Sequence, residues 1–194
     1  MTIDTEIGTT FADLGVAPAL VEALESQGIT RPFPVQALTI EDALAGRDVC
    51  GKAKTGSGKT LAFGLPMLMR TPHAGAGAPA SLVLVPTREL AVQVAEVLET
   101  LAKFVDRRVL AVYGGTDLDR QVRQLAAGTD VVVATPGRLI DLADRKAVKL
   151  SKISTLVVDE ADRMADMGFL PQVEWLLRKM PVARQTLLFS ATLD

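Results

Sequence analysis

The sequence predicts an α/β fold: a mostly parallel central sheet with helices on both faces. Three observations lead there. Short Val/Leu/Ile runs alternate with longer amphipathic segments, the pattern of strands joined by crossover helices. The runs are continuously apolar, as strands become when both faces of a sheet are covered. The 194 residues, at 48% hydrophobic content, give a single domain (1–194) a sizeable core and exclude a disordered chain.

In order, the predicted strands are residues 48–53, 81–85, 108–114, 130–135, 155–160 and 185–192. The first reads as a buried strand. Helical periodicity fills the spaces between them. A helix pattern opens at Lys59. In residues 87–104, Leu90, Val94, Val97, Leu101 and Phe104 recur at spacings of three and four, which predicts one buried stripe. Leu118, Val122 and Leu125 repeat the pattern, with Gly128 as a cap. Phe169, Val173, Leu176 and Leu177 form a further stripe, with Trp175 at its edge. Residues 70–80, rich in Gly, Ala and Pro, read as a loop, and the single His73 within it reads as solvated.

Formal net charge is −2, so nothing about the whole chain advertises a nucleic-acid binder. Any such site must be local. The opening MTIDTEIGTT lacks the basic and apolar regions of a signal peptide, and the apolar runs are too short to span a bilayer. The single Cys50 permits no internal disulfide. Together these predict a cytoplasmic protein without membrane contact.

The stretch CGKAKTGSGKT, residues 50–60, places a flexible, positive loop between a strand and a helix. That is the layout of a P-loop. Gly56 and Gly58 allow backbone N–H groups to converge on one anion, and the following helix adds the positive end of its dipole. Lys59 is placed to reach the β- and γ-phosphates, and the Thr60 hydroxyl to ligate Mg²⁺. The candidate phosphate-binding residues are Ala53, Lys54, Thr55, Gly56, Ser57, Gly58, Lys59 and Thr60. Ala53 stands where the general pattern has Gly.

STLVVDEADRM, residues 154–164, supplies the other half of a hydrolytic site. An apolar strand ends in Asp159-Glu160, which brings both carboxylates to the edge of the sheet where the P-loop also lies. Asp159 suits Mg²⁺, in part through water. Glu160 suits orientation or deprotonation of an attacking water. With Lys59, these two are the candidate catalytic residues.

DEAD at residues 159–162, together with AKTGSGKT at 53–60, resembles the DEAD-box ATP-dependent RNA helicases. Further signatures of that family's first, RecA-like domain follow in order. GITRPFPVQ at 28–36 resembles the Q motif, which implies nucleotide contacts from Arg31 and Gln36. Phe11 lies 17 residues upstream of Gly28, where the family places an isolated aromatic that can stack on adenine. Without the resemblance, Phe11 and Gln36 read as a core aromatic and a helix-surface amide. The Gln36 amide can pair with the N6/N7 edge of adenine, which guanine does not offer. Ile29 and Phe33 depart from the usual aromatic and Thr, and Ala165 from a larger apolar residue.

PTREL (Pro86, Thr87, Arg88), the pair Gly114-Gly115 and TPGR (Thr135, Pro136, Gly137, Arg138) resemble the motifs that contact RNA through its sugar–phosphate backbone. Arg88 and Arg138 follow two strands, so both fall at one sheet edge, where arginine, glycine amides and threonine hydroxyls suit a phosphodiester. Ser190, Ala191 and Thr192 resemble the motif that couples ATP state to RNA, with Asp162 as its partner in DEAD. The resemblance implies ATP and Mg²⁺ as cofactors and RNA as partner. It also implies a second RecA-like domain beyond this chain, which carries the arginine fingers, and a monomeric fragment that is nearly inactive alone. An ATP-dependent RNA clamp and a DNA-directed ATPase of the same fold remain open, although Asp rather than His at 162 and the presence of Gln36 favour RNA and adenine.

Overall fold

The computed structural model describes residues 8–54 and 56–192. The six apolar runs become six strands: β1 (Val49–Lys52), β2 (Ser81–Leu84), β3 (Val109–Val112), β4 (Val131–Ala134), β5 (Thr155–Asp159) and β6 (Gln185–Ser190). They form one sheet in the order β1-β6-β5-β2-β4-β3, and every pairing is parallel. Parallel neighbours need crossover connections. These are supplied by α3 (Lys59–Arg70), α4 (Arg88–Ala102), α5 (Leu118–Ala126), α6 (Pro136–Asp144) and the pair α7 (Ala161–Asp166) and α8 (Leu170–Leu177), whereas α1 (Pro18–Ser26) and α2 (Pro34–Leu44) precede β1. The architecture is α/β and RecA-like.

Alternation along the strands divides the core in two. Val83, Val133, Val157 and Leu187 face one cluster, which packs beneath α1–α4 and includes Phe63 against Phe189 at 5.6 Å between ring centres. Leu82, Val132, Leu156 and Val158 face the other cluster, with Leu125, Leu139, Leu142 and Leu176. Among the described residues no helix is long and apolar enough to cross a membrane.

Two sequence expectations need correction. β1 is an edge strand, not a buried one: among the described residues it pairs with β6 alone, and Cys50 and Lys52 are exposed. In α4 the buried stripe is Ala91, Val94, Ala95, Leu98, Leu101 and Ala102, while Val97 and Phe104 are 39% and 50% exposed. The buried face is centred on Val94, Leu98 and Leu101 with small alanines beside them, which leaves Val97 outside it. The remaining stripes hold: Leu125, Val173 and Leu176 are buried, and Trp175 packs partly buried with Lys179 over its ring. Residues 71–80 are loop apart from one Gly75–Ala78 bridge, and the His73 side chain is 61% exposed.

Candidate functional site

Strand order decides what meets at the C-terminal edge of the sheet. β1, β6 and β5 are neighbours, and they lead into the P-loop, the Ser190–Thr192 turn and Asp159-Glu160 respectively. β2, β4 and β3 are neighbours on the other half, and they lead into Pro86–Arg88, Thr135–Arg138 and Gly114-Gly115. One edge thus holds two adjoining sites.

In the first half, Gly58 caps α3 in the left-handed conformation, φ +83°. A Cβ there would stand 2.5 Å from Gln36 Nε2 and 2.6 Å from the Phe33 ring, so only glycine fits. Lys59 opens α3 and is 5% exposed; its Nζ lies 3.0 Å from Asp159 Oδ1 and 3.5 Å from Glu160 Oε1. Thr60 follows, half-buried, and the Ala53 N–H donates to the Ser190 carbonyl at 2.8 Å, which ties the loop to β6. Lys54 and Gly56 are exposed. Thr55 lies outside the described residues.

Burial pushes the Asp159 carboxyl above its ordinary pKa; the nearby Lys59 ammonium opposes this shift and the Glu160 charge adds to it. Asp159 Oδ1 accepts from the Glu160 N–H at 2.9 Å, whereas Oδ2 is buried without a hydrogen-bond partner, as is Ser57 Oγ. Groups left this way at a glycine loop and a strand end fit a phosphate and its cation. Glu160 has φ +53°, a backbone conformation that costs a non-glycine residue about 1–3 kcal/mol and that clusters at functional sites. Its Oε2 accepts from Arg163 Nη1 at 3.2 Å.

Asp159 and Thr60 are the residues that would hold Mg²⁺. Among the described residues no group of three His, Cys, Asp or Glu could hold a metal by itself. Bound there, Mg²⁺ would neutralise charge on the phosphates.

Two assignments around the base are revised. Phe11 is 1% exposed and packs in the core with Leu14, Leu20, Leu24 and Ile40, so its ring offers no face for stacking; the core-aromatic reading holds. Gln36 is not a surface amide either. It is 1% exposed; its Oε1 accepts from the Phe33 N–H and its Nε2 donates to the Gly58 carbonyl, both at 2.8 Å. Both ends that were expected to read adenine instead bind the start of α2 to the P-loop. Arg31 is exposed on the preceding loop. The ring that does face the nucleotide side is Phe33, 53% exposed, in a cleft of about 770 Å³ shared with Pro34, Leu38, Lys54, Gly56 and Ser57.

Gln36→Ala should therefore weaken ATP and GTP binding by similar factors, because a loosened loop serves both. The expected loss is about 1–3 kcal/mol for the Gly58 carbonyl left without its donor, read by titration of each nucleotide. A loss confined to ATP would return Gln36 to base recognition.

The second half is a groove of about 550 Å³ lined by Pro86, Thr87, Arg88, Gly114, Gly115, Thr135, Pro136, Gly137 and Arg138, so every residue assigned to RNA falls in one place. α4 and α6 both begin here, which brings two helix N-termini to one wall. Thr87 caps α4 through its hydroxyl, which accepts from the Leu90 N–H. The Arg88 side chain is 61% exposed, and a Cβ on Gly115 would meet its Nη1 at 2.9 Å. Arg138 differs from expectation: its guanidinium donates to Gln121 Oε1 at 2.8 Å and to the Thr116 carbonyl at 3.3 Å. It faces the protein. Met167 and Phe169 also line the groove and were not anticipated.

Within the first half, a clasp ties the end of β5 to the end of β6. Asp162 Oδ2 accepts from both the N–H and the hydroxyl of Thr192 at 3.0 Å, and Ser190 Oγ donates to the Thr192 carbonyl. Ala191 sits between them, half-buried. Desolvation raises the Asp162 pKa, but hydrogen bonds from Arg163 and Thr192 outweigh it and hold the carboxyl below its ordinary value.

A P-loop whose lysine pairs with a strand-end Asp-Glu, beside a groove of two helix N-termini, defines a P-loop domain of the helicase type. Residues 33–194 match the DEAD/DEAH box helicase model, and the chain belongs to that family. It is similar to the ATP-dependent RNA helicase DeaD of Escherichia coli, 50% identical over 189 residues, 97% of this chain and 30% of that protein. It is also similar to DEAD-box ATP-dependent RNA helicase 9, mitochondrial, of Arabidopsis thaliana, 46% identical over 191 residues, 96% of this chain and 31% of that protein. With the CshA helicase of Bacillus cereus it shares 45% over 185 residues, 95% of this chain and 35% of that protein. The chain thus spans about a third of the length of these relatives.

Proposed function

We propose that this chain is the ATP- and RNA-binding half of an RNA helicase, in which hydrolysis on the β1-β6-β5 side is linked to the grip on an RNA backbone on the β2-β4-β3 side. One observation carries the proposal: a single sheet edge presents the buried Lys59–Asp159–Glu160 cluster and, on its neighbouring strands, a groove of helix N-termini and glycine turns. Lys59 holds the terminal phosphates, Asp159 and Thr60 hold Mg²⁺, and Glu160 takes a proton from the attacking water. In the groove, Arg88, the Thr87 and Thr135 hydroxyls and the Gly114, Gly115 and Gly137 amides meet phosphates without reading bases. The Asp162–Thr192 clasp joins the strand that bears the catalytic carboxylates to the strand beside the P-loop, so a shift at one is felt at the other.

The test is phosphate release with single-stranded RNA, with single-stranded DNA and with neither, for the full-length protein and for residues 1–194. RNA should stimulate the full-length protein more than DNA does. Residues 1–194 should bind ATP with Mg²⁺ yet gain little from RNA, because an arginine finger contributes roughly 10³- to 10⁵-fold and the family resemblance puts it on a second domain. Equal stimulation by DNA would contradict the choice of RNA. Strong RNA stimulation of residues 1–194 would contradict the half-site.

A further inference from the structure

Gln121 is a polar residue in an apolar stripe: it lies between Leu118 and Leu125 on α5 and is 4% exposed. A buried amide is costly unless its hydrogen bonds are made, and here they converge on one turn. Nε2 donates to Thr116 Oγ1 at 2.8 Å and to the Tyr113 carbonyl at 3.3 Å, the residues on either side of Gly114-Gly115. The Thr116 hydroxyl itself donates to the Tyr113 carbonyl at 3.0 Å. Oε1 accepts from Arg138 Nη1 at 2.8 Å, and the same guanidinium donates to the Thr116 carbonyl at 3.3 Å.

We infer that Gln121 and Arg138 form a single brace that fixes the Gly114-Gly115 turn against the start of α6, so that Arg138 acts on RNA through the turn it positions and not as a phosphate ligand. The inference rests on the reading of this groove as an RNA site. Its physical content is that backbone amides bind phosphates well only when they are held in place before binding. Gly114-Gly115 has no side chains to hold it. The brace supplies from α5 and α6 what the turn lacks. Gln121 is thereby a positioning residue, and Arg138 becomes one as well.

The experiment measures binding of a fluorescein-labelled oligouridylate to the full-length protein by anisotropy across a salt series. The variants are Gln121→Met, Arg138→Met, the double variant, Gln121→Glu and Arg88→Met, with ATP affinity recorded on each. Gln121→Met and Arg138→Met should each weaken RNA binding about tenfold, and the double variant should be no weaker than either, since residues that act as one unit are not additive. The salt slope should stay that of the parent in all three. Arg88→Met, which removes a cation from the groove, should reduce the slope by about 0.7. Gln121→Glu keeps the acceptor for Arg138 and should recover part of the Gln121→Met loss. Unchanged ATP affinity separates a local effect from misfolding, and Gln121→Glu serves as the measurement if Gln121→Met does not fold. A reduced slope in Arg138→Met, additive losses, or no loss would overturn the inference. Failure of the parent to bind the oligonucleotide at all would instead remove the reading of the groove.

Discussion

Glu160→Gln in the full-length protein is expected to bind ATP and Mg²⁺ within a few-fold of the parent while turnover falls by about 10²- to 10⁴-fold, the contribution of a positioned general base. The Glu160 side chain is 8% exposed, with Lys59 at 3.5 Å and Arg163 at 3.2 Å, and its left-handed backbone fixes the direction in which it leaves the strand. Glutamine keeps the length and the contact with Arg163 but loses the basicity that activates water. The two constants together make the diagnosis. A variant that lost ATP binding in the same proportion would point to damage at the P-loop instead. Turnover at the parent rate would move the base elsewhere.

Lys59→Met is expected to have the largest effect on the fold. Lys59 and Asp159 have side chains only 6% and 1% exposed and stand 3.0 Å apart, with Glu160 beside them. Removing the ammonium leaves the buried Asp159 carboxylate without its cation, and breaking such a pair costs about 3–5 kcal/mol. Burial already holds the Asp159 pKa above its ordinary value, and loss of Lys59 would raise it further. A carboxyl whose folded pKa is raised destabilises the native state at higher pH and does so less as pH falls and the group protonates. The deficit should therefore be greatest at neutral pH and shrink under mild acid, as read by denaturant unfolding at several pH values. Lys59→Met combined with Asp159→Asn should recover part of it. A deficit independent of pH would mean that lost packing, not uncompensated charge, is responsible.

β2, β4 and β5 were legible because both faces of the sheet are covered there, which writes Val/Leu runs directly into the chain. The edge position of β1 was not legible: a run such as Val49-Cys50 says nothing about how many neighbours it will have. In α4 periodicity finds Val94 and Leu101 but passes over Ala91, Ala95 and Ala102, which are buried beside them, because it weighs large residues. α1 and α6 went unanticipated; each is nine residues long and opens at Pro18 or Pro136, where a proline reads as a turn as readily as a first helical residue. In the site, the P-loop and Asp159-Glu160 were legible because their chemistry is local. The partners of Gln36, Phe11 and Arg138 were not, since each depends on what a distant element brings near. Gln121 left one usable sign, an amide in the apolar stripe of α5.

In the function proposed above, one sheet edge carries two separable sites, nucleotide on β1-β6-β5 and RNA backbone on β2-β4-β3. The most direct measurement compares Arg88→Met with the parent full-length protein, recording single-stranded RNA affinity against salt and, on the same samples, the affinity for ATP with Mg²⁺. The prediction is weaker RNA binding with a log–log salt slope shallower by about 0.7, as for one lost cation on a single strand, and an ATP affinity equal to the parent's. RNA binding left intact, or ATP affinity lost in step with it, would contradict the division of the edge.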